Sequence, residues 1–279
     1  SLVLMMNFDN YTKLNDTSNY GNDGSNNGAT WTANGRYGGA YEFDGGDYIS
    51  TNTNINYQIR YGFTLSSWVY SGNYSAAGSI IDNYDGGQSN LDYKDGISFV
   101  LRNNRIRITL VEDSGGNFIE RESNAVLEDG SWHHVAAAWN GGFSCSDFSL
   151  YIDGKEETSS CTKEGTVDSL DAPARKLEMG RALYTTGYQF YLNALLDEVR
   201  IYNRALSEQE VKQLYMSNLR KYDTDKWQLY VNESNLTNGT YTYQTFANDG
   251  AGNKNKTEKR ELTIGTMPLS SNFQTFPST

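Results

Sequence analysis

Histidine, cysteine and proline are scarce in this 279-residue chain, with two, two and three copies respectively. The only histidines, His133 and His134, are adjacent, so on a strand they point to opposite faces. Neither is a credible base for a Ser–His–Asp triad, and two cysteines cannot build a zinc site of the usual spacing. No apolar run approaches the roughly 20 residues of a transmembrane helix. Positive charge is also in deficit: 23 Lys and Arg against 34 Asp and Glu give a formal net charge of −11. That balance argues against nucleic acid and anionic membrane surfaces as partners, and is compatible with calcium or neutral glycans.

What the chain has in quantity is glycine and tyrosine, 27 and 21 residues. Turn clusters recur between short alternating runs, the pattern of an antiparallel all-β sandwich. Aromatics make up 13% of the chain, enough to build a core despite low overall hydrophobicity. The most informative stretch runs from Asn193 to Tyr215. Leu195, Val199 and Ile201 fall at period two on one face, with Glu198, Arg200 and Tyr202 on the other. Ser207 then stands three residues before Glu210, a capping-box spacing, and Leu206 can staple onto Val211, so a helix is expected over about 207–217. Asp197 shares the side of the aliphatics. A carboxylate there needs a strong partner.

Cys145 and Cys161 lie almost symmetrically about Asp153-Gly154. A hairpin turning there would set them opposite each other, and a disulfide is expected in preference to two free thiols. It implies an oxidising compartment, hence an extracellular or cell-surface location. Seven Asn-x-Ser/Thr triplets agree, at Asn10, Asn15, Asn73, Asn232, Asn235, Asn238 and Asn255. No signal peptide is read at the start, so the chain is expected to be part of a longer precursor.

Six motifs in order carry a family resemblance over about residues 1–217. They are Leu2-Val-Leu-Met-Met-Asn-Phe-Asp9; Asn15-Asp-Thr-Ser-Asn-Tyr-Gly-Asn-Asp-Gly24; Tyr41-Glu-Phe-Asp-Gly45 with Asp47-Tyr-Ile49; Phe63-Thr-Leu-Ser-Ser-Trp-Val69; Ser131-Trp-His-His-Val135; and Leu150-Tyr-Ile-Asp-Gly154. With the closing strand above, they resemble the laminin-G-like branch of the concanavalin A-like lectin/glucanase sandwiches. The second motif departs from that family's Asp-x-Ser-Gly-Asn loop, having Asn19-Tyr20 for Gly-Asn. The resemblance implies a jelly-roll sandwich whose first and last strands are neighbours, with Trp68, Trp132 and Trp139 in its core and the histidine pair structural.

It also implies a structural calcium. Related glucanases of family 16 place one at a strand similar to Asp197-Glu-Val-Arg-Ile-Tyr202, which suggests ligands from Asp9, Asp44 and Asp197 with the carbonyl of Gly45. The alternative is that Asp197 accepts backbone amides or pairs with an arginine. Those glucanases carry a Glu-x-Asp-x-x-Glu run, and nothing here matches it. Glu120 and Glu122 share a strand face, but Arg121 separates them and no third acid follows, so no enzyme is read. Surface aromatics stack on sugars, and Tyr70, Tyr74, Tyr84, Tyr93, Tyr184 and Tyr188, in or beside polar loops, are the candidate glycan contacts.

After the helix the chain changes character. Residues 218–265, with Trp227 to Val231, Gly239 to Asn253 and Glu258 to Ile264, resemble the last strands of an immunoglobulin- or fibronectin-like domain. A full sandwich of that type needs about 100 residues, so this partial unit exposes an apolar face and open edges. It is expected either to dock on the first domain or to take a strand from another subunit, giving head-to-tail assembly. Residues 266–279 read as an extended tail or linker. Two readings of function follow: a structural or adhesive module of a cell-surface or filamentous assembly, or a lectin-like carbohydrate-binding module.

Overall fold

The computed structural model describes residues 1–9, 13–52, 55–75, 78–84, 95–112, 117–170, 175–183, 189–223, 226–231, 236–248 and 254–265. Its contacts divide the chain into Ser1–Val231 and Asn232–Thr279. The boundary thus falls later than the expected 217, because strands Ser217–Asp223 and Lys226–Val231 form a hairpin within the first unit.

Two antiparallel sheets of eight strands each build the first unit. In the first sheet the order is Lys155–Glu157, Phe148–Ile152, Trp132–Trp139, Phe63–Tyr70, Asn193–Tyr202, Ala40–Asp44 and Thr30–Thr32, with Leu2–Met6 also paired to Asn193–Tyr202. First and last strands are therefore neighbours, as expected. The second sheet runs Ser159–Glu164, Asn117–Ser123, Arg105–Glu112, Gly96–Arg102, Gly78–Asp82, Glu178–Met179, Tyr48–Thr51 and Gly24–Asn27. Period-two alternation explains the core: Phe63, Leu65 and Val69 from the first sheet meet Ile97, Phe99, Ile106, Ile108, Leu110 and Ile119 from the second, all buried in one cluster.

Turn chemistry sets the registers. Asp153 and Gly154 have φ of 50° and 75°, and Asn103 and Asn104 have 52° and 60°. Asn, Asp and Gly tolerate positive φ best, and a two-residue hairpin with a primed turn demands it at both positions. The Asp153-Gly154 turn sets up the expected disulfide, and Cys145 and Cys161 are joined with Cα atoms 6.0 Å apart. In the Asn15–Gly24 loop, Asp16 accepts from the amides of Met5, Ser18 and Asn22 and from the Ser18 hydroxyl at 2.7–2.9 Å. A buried carboxylate with four donors is satisfied, and it moors the loop to the first strand.

The helix, Glu208–Met216, begins at Ser207 with both halves of the capping box present. Leu206 and Val211 pack with Ala136, Ala138 and Tyr151 on the outward face of the first sheet, a small second core. Burying two such aliphatics contributes roughly 3–6 kcal/mol. Two short turns add to the helix content, a one-turn helix Asn56–Ile59 and a 3-10 turn Cys145–Asp147. Trp68 belongs to this outer layer and not, as expected, to the sandwich core. It pairs opposite His134 and stacks on Tyr215 at 5.5 Å. Trp132 is half-buried and faces the same way, so of the three tryptophans Trp139 alone joins the main core.

The closing strand holds a second correction. Ala194, Leu196, Val199 and Ile201 enter the core, and Leu195 is half-buried outside it. The register against Phe63–Tyr70 shifts between Asp197 and Arg200, where Glu198 has φ of 54°. This bulge turns Asp197 away from the aliphatics and onto the outward face, opposite Trp68.

In the second unit, Gly239–Tyr243 pairs with Arg260–Ile264 and Phe246–Asn248 with Lys254–Lys256, each as a two-stranded ladder. Tyr241 lies opposite Leu262 and Gly239 opposite Ile264 on one face, which the pair Tyr243 and Arg260 continues. Thr240 lies opposite Thr263 on the polar face.

Candidate functional site

Cross-strand register builds one continuous polar row on the outward face of the second sheet. Ser25 pairs with Ser50, Ser50 with Glu178, Glu178 with Asp82, Asp82 with Ser98, Ser98 with Thr109, Thr109 with Glu120, and Glu120 with Thr162. Eight residues from eight strands, none apolar, span roughly 30 Å at the usual strand spacing. The centre of the row is buried: Asp82 is 0% exposed, Ser98 3% and Glu178 7%. Gly96 permits that burial, since a Cβ there would meet the Tyr84 Cα at 2.6 Å. Toward one end, Thr109 and Glu120 are half-buried and Thr162 is exposed.

Charge in the row is tightly paired. Arg175 donates to Asp82 at 2.7 Å and also reaches Glu178, whose two oxygens accept from Arg181 at 2.8 and 2.6 Å. Arg181 lies 3.5 Å from the centroid of the Tyr48 ring, a close cation–π contact. One strand pair further, Arg107 donates to Glu122 at 3.0 and 2.6 Å and to Glu120 at 3.0 Å. Burial pushes the Asp82 carboxyl up to about 7, against the pull of Arg175. Asp82 and Ser98, opposite each other, interact through their side chains, whereas Ser79 Oγ is buried without a hydrogen-bond partner. Ser79, opposite Val100, faces the same way.

The residues expected to bind glycan are scattered. Tyr84 reaches the row, but through its backbone: its amide donates to Asp82 at 3.0 Å and its carbonyl accepts from Arg175. Tyr74 is a correction. It is 1% exposed, with its hydroxyl 2.9 Å from the carbonyls of Val69 and Ser131, and it packs the fold. Tyr70 stands beside Trp132 on the outward face of the other sheet. Tyr93, Tyr184 and Tyr188 lie outside the described residues. Among the triplet asparagines, Asn15, Asn73, Asn238 and Asn255 are exposed, while Asn10, Asn232 and Asn235 lie outside the described residues. Glu120 and Glu122 are tied by the same arginine, and Arg121 points to the opposite face, donating to Ser159 at 2.9 Å.

The calcium set does not assemble as expected. Asp44 pairs with Asn193, four residues from Asp197 along the strand and so roughly 13 Å away, and Gly45 follows Asp44. Both oxygens of Asp197 accept backbone amides, from Tyr37 at 2.9 Å and Glu198 at 2.7 Å, which is the alternative set out above. Burial holds its carboxyl well above the usual range, and Glu198 and Asp9 push the same way. Asp9 is thus the one expected ligand within electrostatic reach. No group of three His, Cys, Asp or Glu side chains able to hold a metal occurs among the described residues. Asp44 and Gly45 do not fit the ion; Asp9, Asp197 and neighbouring carbonyls would have to hold it.

His133 and His134 do point to opposite sides. Asp153 bonds His133 Nδ1 at 2.9 Å and raises its pKa, whereas burial beside Trp68 lowers His134 to about 3. A further concavity of about 310 Å³ opens beside the helix, with Leu2, Met5, Leu206, Leu214 and Leu229 in its walls. Its surface is mostly apolar, although Arg200, Tyr202, Arg204, Glu210, Gln213 and Ser217 also line it.

A family profile described as the concanavalin A-like lectin/glucanases superfamily matches residues 43–212. The chain belongs to that superfamily. No curated protein sequence matches it. Among solved structures, domain 4 of AbnA, a GH43 extracellular arabinanase from Geobacillus stearothermophilus, in complex with arabinotriose, aligns with a TM-score of 0.56 and 19% identity, covering 77% of this chain and 98% of that one. The receptor-binding domain of botulinum neurotoxin type G gives 0.55 and 15%, covering 77% and 51%. A third, from work on botulinum neurotoxin type C whose cell entry depends on two ganglioside molecules, gives 0.54 and 13%, covering 93% and 69%. At such identities the likeness establishes the fold and nothing finer. No helix among the described residues is long and apolar enough to cross a membrane.

Proposed function

We propose that this chain is a non-catalytic, lectin-like module of an extracellular protein, and that it takes a glycan along the polar row of its second sheet. The observation that carries the reading is the open end of the row, where half-buried Thr109 and Glu120 and exposed Thr162 lie side by side on three strands, continuous with the buried acids Asp82 and Glu178. Sugar hydroxyls both donate and accept, which suits hydroxyl and carboxylate groups in line. The arabinotriose complex of the arabinanase domain supports a carbohydrate ligand, and the disulfide supports an oxidising location. Against catalysis, Glu120 is held by Arg107, and Asp82 and Glu178 by Arg175 and Arg181, which leaves no free acid–nucleophile pair in the row among the described residues. Calorimetry against arabinotriose and other short oligosaccharides tests it. Thr109→Val is expected to weaken binding at least tenfold with the melting temperature unchanged, whereas a wild-type chain that binds no glycan would reject the reading.

A second reading, adhesive self-assembly, has one observation in its favour. The strand Gly239–Tyr243 has no charged residue and, among the described residues, pairs on one side only, while its partner carries Arg260 and Glu261. Natural sheet edges are normally protected by charge. Sedimentation velocity across concentration separates the readings: association abolished by Thr242→Lys favours assembly through that edge, and a monomer at every concentration removes it.

A further inference from the structure

We infer that the row selects uncharged, hydroxyl-rich sugars and rejects carboxylated or sulfated ones. The inference rests on the glycan reading above and adds the ligand's chemical class.

Its basis is the occupancy of the arginines. An acidic sugar is ordinarily captured by a guanidinium fork with hydrogens to spare. Here Arg107 spends Nε, Nη1 and Nη2 on Glu120 and Glu122, Arg181 spends Nε and Nη2 on Glu178, and Arg175 spends both terminal nitrogens on Asp82, Glu178 and the Tyr84 carbonyl. Three guanidiniums face four carboxylates. An anion could gain a fork only by displacing a carboxylate, and Asp82 and Glu178, with side chains 0% and 9% exposed, would then be left buried and unpaired. Among the described residues, the exposed cations near this face stand off the row: Arg102 at the Asn103-Asn104 turn and Lys176 before the strand Glu178–Met179. What the open end of the row does present is acceptor capacity on Glu120 and Glu122, each side chain 22% exposed, and hydroxyls on Thr109 and Thr162. A ligand that donates hydroxyl hydrogens satisfies all of these, and a ligand that brings its own carboxylate repels the excess charge.

The test uses the full chain and matched sugar pairs that differ by an acidic group: lactose against sialyllactose, and galactose trimers against galacturonic acid trimers. The neutral member of at least one pair is expected to bind at least tenfold tighter than its acidic counterpart, with an affinity little changed between 50 and 500 mM salt (roughly a threefold drop in Debye length). The double variant Glu120→Gln, Glu122→Gln frees Arg107 and is expected to raise affinity for the acidic member at least tenfold. Equal or tighter wild-type binding of the acidic members would overturn the selectivity while leaving the glycan reading intact. Failure to bind any member would overturn both. If the double variant does not fold, the salt series on the wild type decides alone, since attraction of an anion to a free cation weakens steeply with salt.

Discussion

Arg175→Ala is the perturbation that most directly exposes how the row is held together. Arg175 is the only cation bonded to Asp82 among the described contacts, and it shares Glu178 with Arg181. Removing one partner of a buried ion pair typically costs about 3–5 kcal/mol, because the other charge stays buried and unpaired. Asp82 can escape that cost by taking a proton, and the sign of the pH dependence follows. Its folded pKa, about 7, lies above the unfolded value of about 3.9. The folded state therefore binds more protons, and this group's contribution is fully present below about pH 4 and lost as pH rises toward 7, by up to about 4 kcal/mol. In the variant the carboxyl loses its nearest cation, so the loss extends to still higher pH. Chemical denaturation at pH 5 and pH 8 reads this out. At pH 8 the variant should be less stable by about 3–5 kcal/mol. At pH 5, where Asp82 is protonated in both proteins, the loss should fall to about 2 kcal/mol or less, the remaining hydrogen bonds. Asp82→Asn added to Arg175→Ala should recover most of the loss at pH 8. A loss under about 1 kcal/mol at pH 8, or the same loss at both pH values, would refute the reasoning.

Three further expectations are independent of the row. The two histidines should titrate on opposite sides of pH 6.5 in a nitrogen-15 NMR series, His133 above it through Asp153 and His134 still neutral at pH 5; that buried neutral imidazole stabilises the fold above pH 6.5 and ceases to as pH falls toward 3, and coincident titration would contradict the burial argument. Cys145→Ser with Cys161→Ser should cost about 3 kcal/mol in denaturant, as expected for a closed loop near 15 residues, and an unchanged midpoint would show that the bond constrains nothing. Calcium on Asp9 and Asp197 remains a proposal: chelation should lower the melting temperature, with about 2.7 kcal/mol at stake at a hundredfold excess over the dissociation constant, and no shift together with no metal by elemental analysis would dispose of it.

Local chemistry was legible in the sequence wherever a few contiguous residues decide the structure. Ser207 and Glu210 announce the helix start, Asp153-Gly154 the turn, and the turn in turn the disulfide. The bulge is not legible in the sequence, because the adjacent Leu195 and Leu196 let the first half of the strand take either phase, and only the left-handed Glu198 shifts it from Ala194 and Leu196 to Val199 and Ile201. Trp68 was misassigned for a related reason: a buried aromatic on a strand says nothing of which face is covered until Glu208–Met216 is laid over one of them. The polar row is not legible in the sequence. Its eight members come from eight separate segments between Ser25 and Glu178, each unremarkable alone, and only cross-strand register lines them up. Tyrosine count drew attention to the loops, yet Tyr74 proved to be packing and Tyr84 contributes backbone.

The most direct test of the account is to locate a bound sugar. Amide chemical-shift mapping of the chain titrated with a neutral oligosaccharide should show saturable perturbations concentrated on Ser98, Thr109, Glu120 and Thr162, with the outward face of the first sheet, at His134 and Val211, unmoved. Perturbations gathered at the helix and its apolar groove, or none at millimolar sugar, would contradict it.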